Sequence, residues 1–176
     1  MKTRTEKILL GLRFITWIAM LGYSIECGCQ IISVIVSFYN PVTAKQIPGI
    51  NQDLFNILQH DRWYYMYAMV FVIGLSALKV HVWYYVIDLL AKFNLSNPFS
   101  IEVMKKLERI SYDLFSIWGI SVLAKLYIRW VSDKTGERLD IINVGGEFLF
   151  IAGIVYIVSQ IFRRGIEIQE ENQLTV

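Results

Sequence analysis

Nine side chains able to carry charge lie inside the long apolar stretches of this sequence. The acids are Glu26, Asp88, Asp113 and Glu147; the bases are Arg13, Lys79, Lys125 and Arg129; His81 is titratable. A charge at mid-membrane costs about 2.5–3.5 kcal/mol on insertion scales, so such groups turn inward and seek partners. Four acids against four bases is the balance that internal pairing requires. Two kinds of chemistry fit this set. One is a buried relay or ligand site around Glu26, Lys79 and His81; the other is a set of structural ion pairs that fix helix register. At about 1.5 Å per residue from the inner ends, three layers are expected. Glu26 meets Lys79, Glu147 meets Lys125 and Arg129, and Arg13 meets Asp88 and Asp113.

Other chemistry finds no residues to carry it. There is no Gly-rich phosphate loop, no His-x-x-x-His pair and no serine with a matched His and acid. His81 is the one histidine at its depth, since His60 falls in a loop, so a bis-histidine haem is not expected. Cys27 and Cys29, two apart on a helix, point about 200° from one another and cannot clasp one metal. They read as small polarisable packing residues. No catalytic residue, metal or cofactor is expected, and the chain reads as a non-enzyme. Transporters are usually built from repeated halves or broken helices; neither pattern is present.

The elements that position these groups follow from hydropathy. The 176 residues are 55% hydrophobic, with a mean hydropathy of +0.46, concentrated in four runs at about 8–39, 63–93, 110–131 and 144–162. Each supplies the roughly 20 apolar residues that a spanning helix needs; the first two are long enough to require tilt. The fold class is therefore all-α, a single four-helix membrane bundle. The basic start, Met1–Lys7, leads into an apolar stretch of about thirty residues without a small-x-small cleavage site, and reads as a retained helix. Basic residues collect on the cytoplasmic side of membrane proteins. Lys2, Arg4, Lys7, Arg13, Lys92, Lys105, Lys106, Arg109, Arg163 and Arg164 outnumber Lys45, Arg62, Lys134 and Arg138 if both termini are inside. Trp63, Tyr64, Tyr65, Tyr67 and Trp130 then mark the outer interface.

Asn51–His60 carries Leu54, Ile57 and Leu58 at helical spacing, which predicts a short outer-loop helix that lies on the outer membrane surface or caps the bundle. On the inner side, Pro98 disfavours helix at Asn97 and Ser100 is placed to cap a helix starting at the next residue. Ile101, Met104, Leu107 and Ile110 then share one face, with Glu102, Lys105, Lys106 and Arg109 off it. This predicts a short cytoplasmic amphipathic helix before the third span. It fits either an anchor to anionic lipid or a docking surface. The acidic tail after Arg164 could pair with it.

Two segments resemble a known family: Asn97-Pro98-Phe99-Ser100 with Leu107-Glu108-Arg109-Ile110, and Phe162-Arg163-Arg164-Gly165-Ile166-Glu167-Ile168-Gln169-Glu170-Glu171-Asn172 closing on Leu174-Thr175-Val176. They resemble a bacterial four-helix membrane family known only as domain of unknown function 2975. The resemblance covers the last three helices and the tail, less clearly the first helix. It implies a protein of the bacterial inner membrane, encoded beside a small helix-turn-helix regulator. The family's tail usually carries an acid just before Leu-Thr, where this chain has Gln173. It brings no activity or catalytic residue to carry over.

The expected function is a regulatory or sensory membrane protein without enzymatic activity. Asn97, Pro98, Phe99, Arg163, Arg164, Glu167, Glu170 and Glu171 would face a soluble partner, such as that regulator, with no direct contact to nucleic acid. The alternatives are a small transporter or proton-conducting protein using the buried charges, and a structural subunit of a larger membrane complex. Besides the lipid bilayer, another membrane subunit or a second copy of the chain are the partners such a bundle would take.

Overall fold

A computed structural model of the chain describes residues 4–47, 51–93, 98–142 and 145–174. Among these residues six helices succeed one another: α1 (Arg4–Tyr39), α2 (Pro41–Ala44), α3 (Asp53–His60), α4 (Arg62–Lys92), α5 (Ile101–Thr135) and α6 (Glu147–Leu174). There is no strand among the described residues. The fold is all-α, and α1, α4, α5 and α6 are each long and apolar enough to cross a membrane.

Local chemistry sets the helix ends. The chain's three prolines, at 41, 48 and 98, all fall between the long helices, where a missing N–H breaks nothing. Pro41 opens α2, whose Thr43 N–H donates to the Asn40 side chain at 3.2 Å. Asp61 Oδ1 accepts from the Trp63 and Tyr64 N–H groups at 2.6 and 3.3 Å, capping α4. Ser100 does the same for α5, its hydroxyl oxygen accepting from the Val103 N–H at 3.3 Å. Gly136, at φ +74°, takes the left-handed position just past the end of α5, the conformation that helix C-termini most often give to glycine.

Two elements run further than the sequence reading placed them. The amphipathic segment from Ile101 and the third span form one unbroken helix, α5, because no proline lies between Ile101 and Thr135. The fourth span likewise continues as α6 through the acidic tail to Leu174, braced where Arg164 donates to Glu167 at 2.8 Å, three residues on.

Contacts along the chain gather into two units. The terminal unit comprises Met1–Met20, His81–Ser116 and Gly146–Val176; the loop unit comprises Leu21–Val80 and Ile117–Gly145. In the terminal unit, Val82, Val103, Met104, Ile110 and Leu114 are buried, and the Ser111 hydroxyl donates to the Ala152 carbonyl at 3.0 Å. In the loop unit, Leu54, Phe55 and Ile57 of α3 and Ala68 and Met69 of α4 are buried. Asn51 and Asp53 hold the backbone at Asp140, at 2.7 and 3.1 Å. Tyr65, expected at the outer interface, is fully buried, with its ring 6.2 Å from Phe55. The reason is α3, whose apolar face covers that position.

Polarity on α1 is inverted relative to a water-soluble helix. Phe14, Ile18, Leu21, Ile25, Ile32 and Ile35 are exposed, while Thr16, Gln30, Ser33 and Ser37 are buried. Large apolar side chains outside and small polar ones at the packing face is the arrangement that lipid favours.

Candidate functional site

The charged residues of the terminal unit form a ladder between α4 and α5. Lys92 Nζ lies 3.4 Å from Glu102 Oε2, Lys106 pairs with Asp88, and His81 Nδ1 lies 2.9 Å from Asp113 Oδ2. The Arg109 guanidinium stands 6.0 Å from the Tyr85 ring and places Nε 3.5 Å from Asp113 Oδ1. Counted from position 97, the partners of these α4–α5 contacts sit five, nine, twelve and sixteen residues to either side: 92 with 102, 88 with 106, 85 with 109, 81 with 113. The steps of four, three and four residues keep one face of each helix on the seam. Antiparallel neighbours joined by a short connection must have this mirrored register.

Asp113 is the most buried member, with 6% of its side chain exposed. Its Oδ2 has no aligned hydrogen-bond donor, although the His81 ring nitrogen is close to it. His81 also stands edge-on to Tyr85 at 4.8 Å.

This geometry replaces the inner cluster expected from depth alone. Arg13 does not meet Asp88 or Asp113. It donates to the backbone carbonyls of Leu90 and Ala91, at 2.9 Å from Nε and 3.1 Å from a terminal nitrogen respectively. Those carbonyls belong to the last turn of α4, which has no intrahelical donors left, and a cation there also suits the helix dipole.

A second set of contacts joins α5 and the connection before it to α6. Arg163 donates to Glu108 Oε1 at 2.6 Å, and Gln160 donates to the same oxygen at 3.3 Å. The Phe99 ring lies 5.3 Å from that of Phe162 and covers Gly165 so closely that a Cβ there would stand 2.5 Å from Phe99 Cδ1. The two family-like segments therefore meet: Phe99 on Phe162 and Gly165, Glu108 on Arg163. Phe99 and Arg163, expected to face a partner, spend their strongest contacts inside the chain. The acidic tail does not reach across to bases of α5 through Glu167, whose partner is Arg164 on its own helix. Arg164, Glu167, Glu170 and Glu171 are exposed; Pro98 is half-buried; Asn97 lies outside the described residues.

The loop unit holds Glu26, Lys79, Lys125 and Arg129. Among the described residues, Glu26 and Lys79 make no ion pair. Glu26 accepts from the Gln30 amide at 3.3 Å, and the Lys79 ammonium sits 5.6 Å from the Tyr23 ring, one helical turn short of Glu26. Gln30 Oε1 and Ser33 Oγ are buried without a hydrogen-bond partner. Lys125 and Arg129 line a groove of about 290 Å³ with Ser132 and Asp140. Glu147 belongs to the terminal unit, in the first turn of α6, where the dipole favours an acid. His81 falls in the terminal unit, and Glu26 and Lys79 in the loop unit.

Sequence reasoning missed Lys106 as the partner of Asp88, since it treats Lys106 only as one of the polar residues off the apolar face of the inner helix. The signal was the mirror symmetry of charge about the 93–100 connection. Among the described residues, no group of three or more His, Cys, Asp or Glu side chains stands close enough to hold a metal ion.

Four spanning helices with polar groups inside and apolar ones outside define a multi-pass membrane protein. The family model described as "Protein of unknown function (DUF2975)" matches residues 16–176, and the chain belongs to that family. No curated protein and no solved structure matches it.

Proposed function

We propose that this is a non-enzymatic regulatory or sensory protein of the bacterial inner membrane whose terminal unit, facing the cytoplasm, holds a soluble partner. The carrying observation is the union of the two family-like segments at Phe99, Phe162 and Gly165. That union holds Phe99 against α6, which continues as helix to Leu174. Glu167, Ile168, Glu170 and Glu171 on this last stretch are exposed. An exposed acidic helix on a braced base suits a basic partner surface, such as that of a small helix-turn-helix regulator, by charge complementarity. Co-purification from membranes with the full chain and with a chain ending after Gly165 tests this. A soluble protein should be retained by the first and lost from the second; identical partner sets would contradict the reading.

A second reading, conduction of protons or small solutes, draws on the loop unit. Buried Gln30 Oε1 and Ser33 Oγ lack partners in a core that also holds Glu26 and Lys79, and unsatisfied buried polar groups favour internal water. Flux into proteoliposomes should then fall at least tenfold in Glu26→Gln or Lys79→Met; unchanged flux removes this reading.

A further inference from the structure

Along the α4–α5 seam of the terminal unit runs a cleft of about 430 Å³, lined by Tyr85, Lys92, Glu102, Lys105, Lys106 and Arg109. Four of its six lining residues are cations. Three of them have a carboxylate: Lys92 has Glu102, Lys106 has Asp88, and Arg109 has Asp113. Lys105 is exposed and has no ion-pair partner among the described residues. Four cations thus face three carboxylates, leaving one positive charge uncompensated.

The existing pairs do not use up the donors. Arg109 directs Nε at Asp113 and keeps both terminal nitrogens. The Lys92–Glu102 pair has side chains 50% and 61% exposed; such a solvent-side pair contributes little and yields easily to a competing anion. A phosphate group offers several oxygens to these fixed N–H donors, and charge-assisted bonds of that kind are about twice as strong as neutral ones. The cleft also lies where an anionic lipid would present phosphate. It spans the last turns of α4 and the first turns of α5, where apolar helix gives way to charge, and Ile101 beside it is exposed. Basic pockets between spanning helices on this side of a membrane are suited to anionic headgroups.

We propose that this cleft binds the phosphate of an anionic phospholipid headgroup, with Lys105 and Arg109 donating to its oxygens and Tyr85 flanking it. A soluble phosphate ester shares this chemistry, so the test separates the two sources. Native mass spectrometry of the full chain, released from micelles doped with phosphatidylglycerol or phosphatidylcholine, reads the bound lipid directly. Phosphatidylglycerol should be retained in preference, and Lys105→Gln should lower its retention about fivefold, the loss expected for one cation at an anionic surface. Lys105→Arg should preserve retention, as should Arg138→Gln in the loop unit. Retention that survives excess glycerol 1-phosphate assigns the site to membrane lipid. Glycerol 1-phosphate bound without lipid selectivity, and weakened by Lys105→Gln, assigns it to a soluble ester. Equal retention of both lipids with no phosphate binding, or selectivity unchanged in Lys105→Gln, overturns the proposal. No soluble partner enters the measurement, so its failure leaves the partner reading standing.

Discussion

At the scale of single residues, Gly165 shows two effects in competition. Alanine is a better helix former than glycine by about 0.8–1.0 kcal/mol, so on propensity alone Gly165→Ala should stabilise α6. Against that, the new Cβ would stand 2.5 Å from Phe99 Cδ1 and 3.0 Å from Cγ. Since Cγ is the ring's attachment point, the whole ring must shift. Overpacking of this kind costs about 1–3 kcal/mol, which outweighs the propensity gain. Gly165→Ala should therefore lower the thermal stability of the purified protein by up to about 2 kcal/mol. In a Phe99→Ala background the clash is gone, and the same substitution should become neutral or stabilising. A loss of equal size in both backgrounds would separate Gly165 from Phe99.

At the scale of elements, the mirrored register of α4 and α5 makes the hairpin self-aligning. A slip of one residue would break the Lys92–Glu102, Asp88–Lys106 and His81–Asp113 pairs together. Asp88 and Lys106 are the best pair to exchange, because both are largely shielded, with side chains 31% and 12% exposed. Asp88→Lys and Lys106→Asp should each destabilise the fold, and the double exchange should recover most of the loss. The coupling between contacting charges is expected at about 0.5–3 kcal/mol, read from thermal unfolding of the four proteins in one detergent. A double variant as unstable as the two single losses combined would refute the register. This register was written in the sequence but was hidden by counting depth helix by helix. Hydropathy starts the third span near Ile110, whereas α5 begins at Ile101, so a depth count from Ile110 leaves out Lys106, the partner of Asp88. Lys79 and Glu26 fail to pair for a related reason: α1 sets Tyr23, not Glu26, against Lys79.

At the scale of the whole molecule, the spans were legible because hydropathy reports them directly. The Ser100 cap was equally legible, because its chemistry is local to the turn. The packing of α3 over Tyr65 and of Phe99 on Gly165 was not legible. In each case, separate segments meet through side chains that carry no complementary charge. The apolar exterior of α1 and the charge ladder of the terminal unit account for stability in lipid. The proposed function rests on the acidic end of α6, where Glu167, Ile168 and Glu170 are exposed. A photo-crosslinking amino acid placed at Ile168, 46% exposed on that end, and at Trp63, 70% exposed in the loop unit, tests the point in intact membranes. A discrete adduct with a water-soluble protein from position 168 and none from position 63 is the result predicted. The same adducts from both positions, or only lipid adducts from position 168, would contradict the account.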